Sequence, residues 1–244
     1  DAIAASAVIR VVNGARLIAR PSARSVLFET ADGGGVVYWQ KLILCCGARE
    51  LSLPFPGWTL PGVTGAGGLQ AQIKHGLSLK GEKVVIAGSG PLLLAVADTV
   101  NKAGGQVTNI VEQAPLPALL RFASGLWRWP QKLRQLATLA PKGYLSGAQA
   151  IRAHGTTRLE AVTLRQRGVE RTVACDRLAI GYGLVPNIET GLLFGCATAQ
   201  EAIQVNRWQQ TSLADIYAAG ECTGFGGRAL ALAEGDIAGY AAAG

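Results

Sequence analysis

A chain of 244 residues, 49% hydrophobic and 16% charged, can bury the core of one large domain or two ordinary ones, which excludes a mainly disordered polypeptide. The formal net charge of +7 attracts anions, yet no nucleic-acid motif accompanies it. Five cysteines, Cys45, Cys46, Cys175, Cys196 and Cys222, form no C-x-x-C pair, which excludes a recognisable zinc site and a dithiol redox motif, and no apolar run is long enough to cross a bilayer.

Residues 8–48 read as β-rich. AVIRVV, ARLIAR, SVLFET and GVVYWQKLILCC carry β-branched and aromatic residues, and NG, PS and DGGG divide them. Asn13-Gly14 and the run Asp32–Gly35 are natural hairpin turns, so a meander should feed a strand at Leu42–Cys46. Residues 51–66 are too rich in proline and glycine for any regular element, and a helix from about Gly68 to Leu77 follows. Next come a strand at Val84–Ala87, a glycine turn, a helix at Leu92–Lys102 stopped by Gly104-Gly105, and a strand at Val107–Val111 closing on Glu112. Residues 116–140 read as one or two helices. Arg121, Arg128, Lys132, Arg134 and Lys142 cluster there around Trp127 and Trp129, and the preferred reading is a solvated basic face. The β pattern returns in AQAIRAHG and in LEAVTLRQRGVERTVACDRLAIGYG, with Gly168 as a hairpin turn. A strand at Ile216–Ala219, a glycine loop and an Ala-rich helix end the chain.

Three strands thus leave the core onto glycines, at Gly47, Gly88 and Gly220. In Gly88-Ser89-Gly90-Pro91-Leu92, the first glycine permits a tight turn and the second lets main chain approach a pyrophosphate resting on the helix N-terminus. Glu112, 24 positions after Gly88, could accept a hydrogen bond from a ribose 2′-hydroxyl. Leu93 replaces the third glycine of that pattern and should push the helix outward; Pro91 suits a first helical turn. At the chain end, Glu221 follows a strand and Gly220, and a helix begins at Gly226-Gly227. A carboxylate there suits sugar or ribityl hydroxyls, and bare glycine backbone suits an aromatic ring. His75 and His154 are read as ordinary surface or loop histidines, and no G-x-S-x-G marks a hydrolase.

Together these exits resemble one family. LILCCGARE looks like the ATG-type strand of flavoproteins with two dinucleotide-binding domains, VVIAGSGPLLLA their inserted NAD(P) domain, and TSLADIYAAGECTG their C-terminal FAD motif. GARELSLPFPGWTLPGV, GSGPLLLAVA and GYGLVPN together resemble, more narrowly, the FAD-dependent subunit shared by opine oxidases, hydroxyproline dehydrogenases and hydrogen cyanide synthase. The resemblance implies an α/β, three-layer fold of two Rossmann-like domains. Residues 1–80 and 182–244 would form a discontinuous FAD domain, incomplete at its N-terminus, and 81–181 an inserted NAD(P)-binding-like domain. It places Cys46, Gly47 and Ala48 along the FAD, Gly220 and Glu221 at the ribityl chain, and Gly226 and Gly227 before the helix under the flavin. Gly88, Ser89, Gly90, Pro91, Leu92 and Glu112 belong to the NAD(P) side.

Nothing in residues 1–40 matches the family's opening glycine loop for the ADP half of FAD, so the sequence reads as a fragment that begins after that loop. The implied function is an FAD-dependent oxidoreductase subunit. It would relay electrons beside a second flavin-containing subunit that oxidises an amino acid or N-substituted amino acid. The cofactors are FAD and, at a site that has lost one glycine, NAD(P). No catalytic side chain and no metal are named. The protein is expected in the cytoplasm without a transmembrane segment, peripheral membrane association being left open. Two alternatives stay open: a stand-alone NAD(P)H-dependent flavin reductase and a non-catalytic assembly subunit with vestigial nucleotide sites.

Overall fold

A computed structural model describes residues 8–125 and 143–244. The chain is an α/β protein of two compact units, one made of 8–49 with Val185–Gly244 and the other of Glu50–Leu184. Residues 50–80 therefore group with the inserted unit, not with the segment before them. The reason is a short strand, Val63–Gly65, which pairs in parallel with Arg177–Gly181 through Leu178↔Val63 and Ile180↔Gly65. No regular element was expected there. The proline-rich stretch ends at Pro61, and three residues beyond Gly62 suffice to join a sheet edge.

The inserted unit has three layers. Its centre is a five-stranded parallel sheet in the order Val63–Gly65, Arg177–Gly181, Lys83–Gly88, Gln106–Glu112, Tyr144–Ser146. Side chains alternate along the fully buried strand after Lys83. Val84 and Ile86 pack under the helices Ala66–Lys74 and Leu92–Lys102, whereas Val85 and Ala87 face an antiparallel sheet. That sheet is a meander of Ala148–His154, Ala161–Gln166 and Val169–Ala174, its last two strands joined by the two-residue turn Arg167-Gly168. The helix Leu92–Lys102 has the bounds its composition implies. Its inner face buries Leu93, Val96, Ala97 and Val100, and Gly104 at φ 82 turns the chain away from it. The basic, Trp-containing segment is described only as the helix Leu116–Gly125, which carries Arg121. Trp127, Arg128, Trp129, Lys132, Arg134 and Lys142 lie outside the described residues.

The other unit contains an antiparallel sheet of Arg16–Ala19, Ser25–Thr30 and Gly33–Tyr38. It also holds a parallel pair, Leu42–Leu44 beside Ile216–Ala218, and the helices Glu189–Phe194 and Gly227–Ala243. Its core gathers Leu44, Phe194, Ile203, Ile216, Ala218 and Cys222, with Trp39 edge-on to Phe194 at 6.0 Å. Two expectations change here. Residues 8–12 form no strand: Val8, Ile9, Val11 and Val12 are exposed and have no partner strand among the described residues, and β propensity without a partner does not make one. The second hairpin turns at Ala31-Asp32, and Gly33, Gly34 and Gly35 sit inside the next strand. The Phe28 ring covers Gly35, 3.2 Å from where a Cβ would stand.

Candidate functional site

In the first unit, the strand Leu42–Leu44 leads into Cys45, Cys46 and Gly47, and Gly47 turns at φ 66, a conformation side chains rarely tolerate. The turn is held from across the unit by Asn187. Its Nδ2 donates to the Cys46 carbonyl at 2.9 Å, and its backbone N–H donates to the Gly47 carbonyl at 3.0 Å. The neighbouring strand leaves the core in the same way at Gly220, φ 81, whose N–H donates to Glu234 Oε2 at 2.8 Å. Between these exits opens a hollow of about 420 Å³ lined by Cys45, Gly47, Gly220, Glu221, Gly227 and Arg228.

A Cβ on Gly47 would meet nothing within 4 Å, so main chain faces the hollow uncovered. At its rim begins the 17-residue helix Gly227–Ala243, whose free N–H groups and the Arg228 guanidinium favour negative charge. These features fit a flat ring and an attached phosphate. Of the residues expected here, Gly47, Gly220, Glu221 and Gly227 line the hollow. Cys46 contributes a carbonyl that Asn187 occupies, Ala48 starts the next short strand, and Gly226 lies under Leu230, whose side chain a Cβ would strike.

All five cysteines are free thiols. Burial pushes the Cys45 and Cys222 thiols up from their ordinary values and Cys175 up to about 12, which disfavours reactive thiolates. Among the described residues no group of three His, Cys, Asp or Glu side chains could hold a metal ion, and no helix is long and apolar enough to cross a membrane.

In the inserted unit, Gly88 ends its strand against the neighbouring strand. A Cβ there would collide with the Gly181 carbonyl oxygen, so only glycine fits. Ser89 N–H donates to that same oxygen at 2.9 Å. Gly90, at φ 93, has nothing within 4 Å of a would-be Cβ, which leaves the approach to the helix N-terminus at Pro91 and Leu92 open. Glu112 is 1% exposed and does not face outward. Its Oε2 accepts from Gly90 N–H at 2.9 Å and its Oε1 from Ala114 N–H at 2.8 Å. Tyr144 lies against the same carboxylate; burial first, and Glu112 second, push its hydroxyl up to about 12.

Leu93 does not behave as its size suggests. It is fully buried, and its Cδ2 lies 3.4 Å from where a Cβ on Gly181 would be. The missing helix glycine is replaced by a glycine on the strand opposite, which makes room for the leucine.

Comparison with known proteins decides the family. The model of the pyridine nucleotide-disulphide oxidoreductases matches residues 2–237. The chain belongs to that family. FAD and NAD(P) are the cofactors of this family. A hydrogen cyanide synthase subunit, HcnB, of Pseudomonas protegens is 33% identical over 232 residues, 87% of this chain and 50% of that protein. An opine oxidase subunit of Rhizobium meliloti is 30% identical over 216 residues, 82% of this chain and 47% of that one. The chain spans about half the length of these curated relatives. A crystal structure of a FAD-dependent pyridine nucleotide-disulphide oxidoreductase from Desulfovibrio vulgaris superposes with a TM-score of 0.72 at 23% identity, over 94% of this chain and 61% of that one, and shares the fold.

Three residues of this family member were not singled out by sequence. Asn187 ends the GYGLVPN motif, where sequence gave it no role. Glu234 reaches back 14 residues to Gly220 from the last helix. Glu50 caps another helix start: its Oε1 accepts from Gly67 N–H at 2.7 Å and its Oε2 from Gly68 N–H at 3.3 Å. Glu112 and Glu234 thus each hold a glycine turn, and Glu50 a helix start. Only the spacing of an acid from the G-x-G turn was readable beforehand.

Proposed function

We propose that this chain is the FAD-carrying electron relay of a heteromeric dehydrogenase or oxidase acting on an amino acid or another secondary amine, beside a second flavin-containing subunit that oxidises the amine. The observation that carries this reading is the uncovered backbone at Gly47 in a hollow that Gly220 also lines, in a chain whose cysteines form no C-x-x-C pair. Two relatives support it by name, as subunits of a hydrogen cyanide synthase and of an opine oxidase.

When bound, FAD supplies the redox chemistry. This chain's residues bind and orient. Gly47 and Gly220 would let the ring and sugar approach main chain, with Glu221 accepting from ribityl hydroxyls. The helix start at Gly227 and Arg228 would face developing negative charge. Asn187 and Glu234 keep both turns in place. No side chain is assigned a proton transfer. The proposed location is the cytoplasm.

The alternative, a stand-alone NAD(P)H-dependent flavin reductase, gains from one observation: Leu93 is accommodated by Gly181, so it does not count against a working NAD(P) turn. Anaerobic titration of the intact, flavin-loaded protein separates the two. Bleaching of the flavin by an amine substrate only when the second subunit is present supports the relay. Rapid bleaching by NADH or NADPH alone supports the reductase. A protein that stays colourless with added FAD would leave only an assembly role.

A further inference from the structure

In the inserted unit, a cavity of about 180 Å³ lies beside the edge strand Val63–Gly65, which runs directly into the helix Ala66–Lys74. Apolar side chains of Leu51, Leu53 and Ile180 line it, together with the Trp58 indole, Thr64 and the Glu50 carboxylate. The glycines around Glu50 give the carboxylate its place. A Cβ on Gly65 would strike Glu50 Oε2, and those on Gly67 and Gly68 would touch the same carboxylate at 3.5 and 3.8 Å.

The helix start accounts for part of this carboxylate. Each oxygen accepts one backbone N–H and keeps further acceptor capacity. Among the described residues Glu50 forms no ion pair, and no lysine, arginine or histidine lines the cavity. Capping does not account for two neighbours. Trp58 leaves 41% of its surface exposed, with its ring on the cavity wall. Thr64 buries a hydroxyl oxygen that has no hydrogen-bond partner among the described residues, an acceptor that nothing in the chain serves. A carboxylate and an aromatic face on one apolar cavity attract an organic cation. The carboxylate accepts N⁺–H, the indole attracts the charge, and the aliphatic wall covers carbon. An anion would be repelled, and a neutral molecule of the same shape would gain the wall alone.

We propose that this cavity binds a small organic ammonium, a protonated primary or secondary amine with a short aliphatic chain. Glu50 would accept from the ammonium, with the Thr64 hydroxyl as a second acceptor and Trp58 against the charge. Leu51, Leu53 and Ile180 would cover the chain. The site uses no residue assigned to the flavin hollow or to the glycine turn at Gly88, so it and those readings stand or fall separately.

Isothermal titration of the intact protein tests it, with n-butylammonium, n-butanol, butyrate and potassium ion as probes. Butylammonium should bind about tenfold or more tighter than butanol, which has the same chain and no charge. Glu50→Gln keeps an acceptor for the helix start and should remove that preference. Trp58→Leu leaves the helix start untouched and should weaken butylammonium binding about fivefold, with thermal melting as the check on folding in both variants. Butanol or butyrate binding as tightly as butylammonium would overturn the proposal, as would a preference that neither variant changes. Potassium displacing butylammonium at equal concentration would mark a simple cation site and overturn it too. No binding of butylammonium at all would leave Glu50 as a helix cap only.

Discussion

Glu112→Ala is the substitution on which the sequence pattern and the structure disagree most clearly. As a ribose acceptor, the carboxylate would contribute to affinity and little to stability. In the structure it accepts two backbone N–H bonds at 2.9 and 2.8 Å while 1% exposed. Hydrogen bonds to a charged group contribute about 1.5–3 kcal/mol each, and the variant would strand the two donors. Relief of the buried charge offsets part of this, so the net loss should be about 3 kcal/mol. Glu112→Gln keeps one acceptor oxygen and should lose roughly half as much. Hydrogen exchange read at the Gly90 and Ala114 amides is the direct assay, because a chain of two units need not unfold in one step. Both amides should exchange faster in the variant. The Tyr144 hydroxyl should titrate below about 12, yet above its ordinary value, because burial is the larger cause of its rise. Unchanged exchange at both amides, with dinucleotide affinity alone reduced, would refute the turn-holding role.

Leu93→Ala should cost about 3 kcal/mol by leaving a cavity over Gly181, measured by urea unfolding followed by circular dichroism. Gly181→Ala would bring a Cβ to 3.1 Å from that of Ala66 and 3.4 Å from Leu93 Cδ2; combined with Leu93→Ala it should cost less than the sum of the two. Asn187→Ala removes the side-chain bond to the Cys46 carbonyl and should weaken FAD binding about fivefold, by roughly 1 kcal/mol, with the helix content of the protein unchanged. The buried Cys175 thiol titrates higher folded, at about 12, than unfolded, at 9.0. Its contribution is complete below pH 9 and is lost as pH rises toward 12, by up to about 1.4 kcal/mol per pH unit. Denaturation midpoints should therefore fall above pH 9, and less steeply in Cys175→Ala.

Much of the architecture was legible because its signals are local. Apolar periodicity and the Gly104-Gly105 stop define the helix Leu92–Lys102, and three glycine exits mark the carboxyl ends of strands. The strand Val63–Gly65 was not legible, since three residues after a proline-rich run carry no periodicity and gain their structure from the sheet they join. Residues 8–12 show the converse, with strong β composition and nothing to pair with among the described residues. For the candidate site, spacing located Glu112 but not the direction of its carboxylate. Glu234 and Glu50 were hidden altogether, because a side chain reaching back 14 or forward 17 residues to a backbone N–H leaves no pattern in sequence. Leu93 misled for a related reason: the space that admits it comes from Gly181, on another strand.

The proposed relay requires a flavin resting in the hollow at the ends of two neighbouring strands, against the uncovered main chain of Gly47. Amide hydrogen exchange of the intact protein, with and without FAD, reads that contact directly. Added FAD should slow exchange across 45–48 and 219–222 and at the start of the helix Gly227–Ala243. Slowed exchange confined to other segments, or none at all at saturating FAD, would contradict it.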